Sequence, residues 1–424
     1  MPSPSFPPPS PADPLAFIVH ARFASAMSDT TSSQITDIDK SPAASAIMPN
    51  PLAHALSQQP RDPKNTHIKE VKQIARWATW AISPFLDLTT TLNVGLFSEG
   101  KLRTTKTGEV YLDPYTGIDR SVYLNHIRTY QKILRGKPEM RTFLDWYEND
   151  PEGLNILATF MNAHIRQMRG EDISSLRNRV FAYAGRNGTP ANFGGHGDSK
   201  ESRRGFNNPD SGRLNCPMHD IAEFDNEGWM AYRDRVNKME KIIDENDWPS
   251  NVYKESMYDP DDLNAGLMRG DFVMSVTRQI ATGPRTAHAE NDGPMKGRPP
   301  KAFIHSQVEI TPELIAYSAV LARFSISSEN SWSGIDKSFN YENYFNNILE
   351  LFTIASEDAT NWDKDILELY NTRIFGSKPK PSVSHEIRPE SDRERQKRQR
   401  ALRRTQGISG SSANKSGPSA SSSS

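Results

Sequence analysis

The sequence predicts a mainly α protein: a compact helical body of one or two lobes, with a minor β-hairpin, between disordered arms at both ends. Three observations carry that expectation. Apolar residues recur at helical spacing through most of 61–377. Proline, glycine and short polar residues fall where such runs should start and stop. Residues 1–60 and 378–424 are poor in core-forming side chains.

Taken in order, residues 1–60 form a Pro/Ser/Ala-rich arm, as in Pro7-Pro8-Pro9 and Ser41-Pro42-Ala43-Ala44, which cannot bury enough apolar surface to offset its ordering entropy. Met27 is an alternative start. Ile68, Val71, Ile74, Ala75, Ala78 and Ile82 then mark a helix that Pro84 interrupts. Residues 101–112 read as a hairpin turning through Lys106-Thr107-Gly108-Glu109. Tyr123, Ile127, Tyr130 and Leu134 share one helical face, closed by Gly136, and Pro138 opens a shorter helix containing Phe143, Leu144 and Tyr147.

The stretch 156–213 opens as a helix with Leu157, Phe160, Met161, Ile165 and Met168 on its apolar face, and His164, Arg166 and Arg169 on its polar one. A short second helix follows, and then a loop rich in Gly, Asn and Arg. Beyond it come a helix over 229–243 and an Asp259-Pro260-Asp261-Asp262 capping cluster, expected to start a helix through Leu263 and Leu267. A second loop, 282–300, carries Arg285, His288, Lys296 and Arg298. Thr311-Pro312 is an N-cap followed by Pro at the first helical position, and helices are expected over 314–324 and 344–354. Thr360 and Asp363 have capping-box spacing ahead of Trp362, Ile366 and Leu369. A lobe boundary is expected within 185–228.

Charge is unevenly placed in a chain whose formal net charge is −1. The tail 378–424 carries eleven basic residues against four acidic ones, a net of +7, whereas the body is acidic at −6. Within it, 156–214 holds nine basic residues against five acids. Such asymmetry points to a polyanion partner or to contacts between subunits.

The candidate RNA-binding residues are therefore Arg166, Arg169, Arg177, Arg179, Arg186, Arg203, Arg204 and Arg213, with Lys200 beside them and Phe181, Tyr183, Phe193 and Phe206 interleaved. To these the tail adds Arg393, Arg395, Lys397, Arg398, Arg400, Arg403 and Arg404. Arginine neutralises phosphate and stacks on bases, and aromatic rings stack without regard to sequence, so the mixture suits single-stranded nucleic acid. The competing reading makes Phe181 and Tyr183 core and pairs the arginines with the protein's own acids. The tail could equally be a localisation signal, or a solubilising helix with Glu390 and Glu394 as internal partners.

No catalytic constellation, cofactor or metal site is expected. Cys216 is the lone cysteine, so no disulfide can form within one chain; it has no companion for a thiolate metal cluster, and a Cys216–His219 pair would have to be assembled in space. Gly194-Gly195-His196-Gly197-Asp198-Ser199 lacks the Gly-Lys-Ser/Thr ending of a phosphate loop. Asp259, Asp261 and Asp262 lack calcium-loop spacing, and Trp77, Trp80 and Trp362 read as core or subunit-contact anchors. An enzyme using His219 or Asp261 would need those side chains to converge in one pocket. The Asn187-Gly188-Thr189 sequon has no secretory signal to accompany it, because the apolar patch 15–19 is short and follows no basic segment. No run of about 18 apolar residues occurs, so no membrane-spanning helix is expected.

A Pro/Ser-rich arm, an α-rich body, an internal Arg/Gly loop and a basic tail resemble, in organisation over most of the chain, the coat or nucleocapsid (capsid) proteins of RNA viruses. That resemblance implies a self-assembling, non-enzymatic structural protein of the virion that encapsidates RNA. Its partners would be RNA, bound without sequence preference, and further copies of itself, and it would reside in the virion and host cytoplasm. The alternative is a cellular RNA-associated or scaffolding protein acting through its charged tails in the cytoplasm or nucleus.

Overall fold

The computed structural model describes residues 52, 56, 65–104, 108–109, 115–177, 179–185, 191, 200–283, 309–357 and 361–376. The expectations for the 1–60 arm, most of the 101–112 hairpin, the 186–199 glycine-rich segment, most of the 282–300 loop and the 378–424 tail lie outside or largely outside these residues. Those described form fourteen α-helices and one two-stranded sheet.

The first helices start at side-chain caps that the apolar spacing alone did not name. α1 (Thr66–Ala81) begins where the Asn65 side chain accepts from the Ile68 amide. α2 (Leu88–Ser98), which the sequence reading did not assign, is capped by Asp87. Its buried residues run consecutively from Thr91 to Leu96, which explains why no one-sided pattern shows. α3 (Arg120–Gly136) buries Tyr130 and Ile133, and α4 (Met140–Asp145) follows directly. α5 (Pro151–Leu176) starts with Pro at its first position and Asp150 as cap.

α5 belongs to two apolar clusters. Leu154, Leu157, Ala158, Met161 and Ile165 join the cluster built by α1 to α4, whereas Met168 and Leu176 join the cluster of the remaining helices. The clusters thus part inside this helix, between Ile165 and Met168. Trp80, alone among the buried apolar residues of α1, belongs to the second cluster, where Asp172, 1% exposed, accepts at Oδ2 from Trp80 Nε1 at 3.1 Å and from the Tyr317 hydroxyl at 3.0 Å. Trp77 and Trp80 are core residues, and half-buried Trp362 packs on Phe352.

The second cluster draws on α6 (Val180–Tyr183), α8 (Pro209–Asn215), α9 (Ile221–Glu227), α10 (Trp229–Asn237), α11 (Asp271–Thr282), α12 (Pro312–Ile326), α13 (Tyr341–Glu357) and α14 (Trp362–Phe375), while the short α7 (Lys200–Arg203) buries none of its residues. α12 is the cluster's axis. Every residue from Leu314 to Ile326 is buried, the signature of a helix surrounded on all sides, and α11 and α13 pack along it. Thr311 and Pro312 start it as predicted.

Three local expectations are corrected. Residues 259–268 are not helical: Asp259 accepts from the Asp261 amide and Asp262 from the Asn264 amide, so these carboxylates close turns, and the helix starts at Asp271. α10 ends at Asn237, because Met239 adopts φ 60° and cannot continue it. α14 begins after Asn361, which sits at φ 58° and makes no side-chain cap. The hairpin among the described residues pairs β1 (Ile335–Asp336) with β2 (Phe339–Asn340).

Candidate nucleic-acid interface

The polar face of α5 carries the site. At about 100° per residue, Arg166, Arg169 and Arg177 fall within roughly 80° of one another, over about 16 Å of axis. Arg166 and Arg177 are exposed. The acid on the same helix surface, Glu171, lies on another side and pairs with Arg76 of α1. No ion pair holds Arg166, Arg169 or Arg177 among the described residues.

Arg166 and Arg169 line a groove of about 570 Å³ between α5, the 84–87 connection and the β1–β2 hairpin, where Asn162, Phe85, Trp332 and Ile335 also face it. The Arg169 guanidinium lies 4.6 Å from the centre of the Trp332 ring and donates from Nη1 to the Pro84 carbonyl at 2.7 Å. Trp332 is itself wedged among Phe85, Phe324 and Tyr341. The cation is thus held over a fixed aromatic ring, next to a surface on which a base can stack. Burial lowers the Arg169 pKa, and Arg166 nearby contributes in the same direction. Asp87 and Glu342 bring negative charge to the rim, where burial raises the Glu342 pKa.

Beyond Arg177 the face meets two further cations. Arg204, only 7% exposed, donates from Nη2 to the Arg177 carbonyl at 2.9 Å and from Nη1 to the Ser325 carbonyl, with its guanidinium 4.9 Å from the Phe181 ring centre. Lys200 donates to the carbonyls of Phe324 and Glu329 at 2.7 and 2.6 Å and stands 3.8 Å from the Phe324 ring centre. Burial, then repulsion from Arg204, pushes the Lys200 amine down to about 7.

Several expected contacts are replaced by internal ones. Arg213, 9% exposed, is bidentate to Asp225 and to Glu255, so its charge is matched within the protein. Arg204 is a structural cation whose guanidinium is spent on carbonyls. Tyr183 is core and donates to Gln279 Oε1, Phe181 lies under Arg204, and Phe206 packs on Tyr232. These rings are not a stacking platform. Arg179 and Arg203 are half-buried. Arg186, Phe193 and the tail residues 393–404 lie outside the described residues.

Cys216 and His219 do not meet as a nucleophilic pair: Cys216 is fully buried, which pushes its thiol up to about 12, while exposed His219 faces Asp220 at 3.5 Å. No group of three His, Cys, Asp or Glu side chains suited to a metal occurs among the described residues, and no described helix is long and apolar enough to cross a membrane. Trp332 escaped the sequence reading because it stands 163 positions from Arg169 in a short Ser/Gly-rich stretch with no periodicity.

Together, the fold and the groove define a helical protein with one small hairpin and a basic, aromatic-backed surface. Residues 163–375 match the profile of DUF6698, a family of unknown function, and the chain belongs to that family. The matched region holds Arg166, Arg169, Arg177 and Trp332, while the 84–87 wall of the groove lies before it. Comparisons with curated proteins and with solved structures found no match.

Proposed function

We propose that this protein is a non-enzymatic RNA-associated protein that lays single-stranded RNA along the polar face of α5. The observation that carries this reading is the one-sided row Arg166, Arg169 and Arg177. These residues lack ion-pair partners among the described residues, and one of them is held over the Trp332 ring. A row of about 16 Å spans a few phosphates, and the stacked guanidinium supplies a sequence-tolerant surface for a base. The basic tail adds affinity of the salt-sensitive kind. The organisation shared with coat proteins extends the proposal to self-assembly around the bound RNA.

The test is fluorescence anisotropy of a labelled single-stranded RNA against the full chain over a salt series. Arg166→Glu combined with Arg177→Glu is expected to weaken binding at least about tenfold and to lower the salt slope by about 2. Deleting 378–424 should reduce the slope further and leave the body folded. Affinity unchanged by the double substitution sinks the α5 assignment. Electron micrographs of the RNA-bound protein showing only dispersed single particles would sink the assembly extension.

A further inference from the structure

A second site lies away from the α5 groove and does not depend on the RNA reading. Arg323, in the last turn of α12, is only 5% exposed, yet no carboxylate among the described residues forms an ion pair with it. Its Nη1 donates to Asn215 Oδ1 at 3.1 Å, and its guanidinium stacks 3.6 Å from the centre of the Phe339 ring. Its Nε is buried with no acceptor, and its Nη2 makes no hydrogen bond to a described residue. The helix C-terminus offsets part of the charge, but carbonyls of the same helix cannot reach these hydrogens. A buried donor left unmade costs about 1–3 kcal/mol, so such a group calls for a partner.

A cavity of about 50 Å³ lies against that side chain, and its walls show what could fill it. Lys241 lines it but is matched by Asp220 and Glu223. Lys337 lines it, makes no ion pair among the described residues, and donates to Asn237 Oδ1 at 3.0 Å. The Ser328 hydroxyl, half-buried on the wall, makes no hydrogen bond among the described residues. Asp336 stands in the same wall, its nearest hydrogen bond a 3.5 Å contact from the Tyr341 hydroxyl, and it does not reach Arg323. The unmatched groups are two cations and one anion, with donors in excess. The volume corresponds to roughly four water-sized spheres, enough for a tetrahedral ion and too little for a nucleotide.

We propose that this cavity, formed by Arg323, Ser328 and Lys337 with Asp336 opposing, is a binding site for a small tetrahedral oxyanion of the phosphate or sulfate type. The anion would accept from Arg323 Nε and Nη2 in the planar fork that guanidinium offers to such ions. Asp336 weakens it by like-charge repulsion.

That opposition makes the test signed. Isothermal titration calorimetry of the full chain with inorganic phosphate, in chloride buffer of fixed ionic strength, is expected to give a saturable one-to-one heat. Sulfate in place of phosphate separates the two sources. Asp336→Asn should tighten binding by about threefold or more, and Lys337→Ala should weaken it by about threefold. Arg323→Gln should abolish binding with the far-ultraviolet circular dichroism retained. Because Arg323 is buried and its variant can fail to fold, the two rim substitutions suffice as a test. A cavity holding only water would give no saturable heat with wild type or with Asp336→Asn, and that overturns the proposal. So does a phosphate affinity that neither rim substitution moves.

Discussion

Single residues set the sharpest expectations. The Tyr370 hydroxyl is buried with no hydrogen-bond partner among the described residues, and burial raises its pKa. Tyr370→Phe removes an unpaired polar group and keeps the ring, so chemical denaturation should show a gain of about 1 kcal/mol. Lys200 gives a pH signature. Its folded amine is held near 7, below its ordinary 10.5, so between those values the unfolded chain keeps a proton that the folded chain releases. Stability therefore gains from this group as pH rises from about 7 towards 10.5, and the full desolvation penalty is present below 7. Lys200→Met should flatten that gain relative to wild type in melting temperatures measured from pH 7 to 9.5; parallel pH profiles would refute the assignment. Nothing local in the sequence announced either residue, because the neighbours that bury Lys200, Phe324 and Glu329, lie more than 120 positions away.

At the scale of elements, close approach of helices explains what the pattern of apolar residues cannot. Gly95 of α2 lies under the Tyr130 ring of α3, and a Cβ there would come within 2.2 Å of ring carbons. Gly95→Ala should cost about 1–3 kcal/mol, and pairing it with Tyr130→Leu should recover part of the loss in a double-mutant cycle. The same contact shows the limit of sequence reading. Tyr130 was legible as a buried position from its spacing with Tyr123 and Ile127, and the cap at Thr311 was legible because side-chain capping is local. α2 was not, because a helix buried along consecutive residues has no polar stripe to reveal it. At the candidate interface, Arg166, Arg169 and Arg177 could be named from their types and spacing. The fate of Arg204 and Arg213 could not, since Ser325, Asp225 and Glu255 arrive from other helices and turns.

For the molecule as a whole, α5 and α1 make the two apolar clusters depend on each other, since both helices contribute to each, and Trp80 of α1 is held in the second cluster by the Asp172 carboxylate that also accepts from Tyr317. Asp172→Ala would remove the acceptor shared by a buried indole N–H and a buried phenol hydroxyl, at a cost of about 3 kcal/mol. Because both clusters share these helices, calorimetry should still show one transition whose calorimetric and van't Hoff enthalpies agree, shifted to lower temperature. Two resolved transitions would mean that the clusters unfold separately. The mainly helical class was readable from periodicity across the whole chain, whereas the seam between clusters was not, for it falls in the middle of an unbroken helix and carries no loop to mark it.

The family match begins at residue 163, close to that seam, and this bears on how the protein can be cut. A recombinant fragment trimmed to the matched residues would start one turn before Arg166 and would lose Trp80, along with the 84–87 wall of the groove. Ile165 would face solvent, and the Asp172 carboxylate would retain Tyr317 but lose its indole donor. Such a fragment is a poor probe of what the family does. The minimal unit worth expressing reaches back at least to Asn65, where the cap of α1 begins.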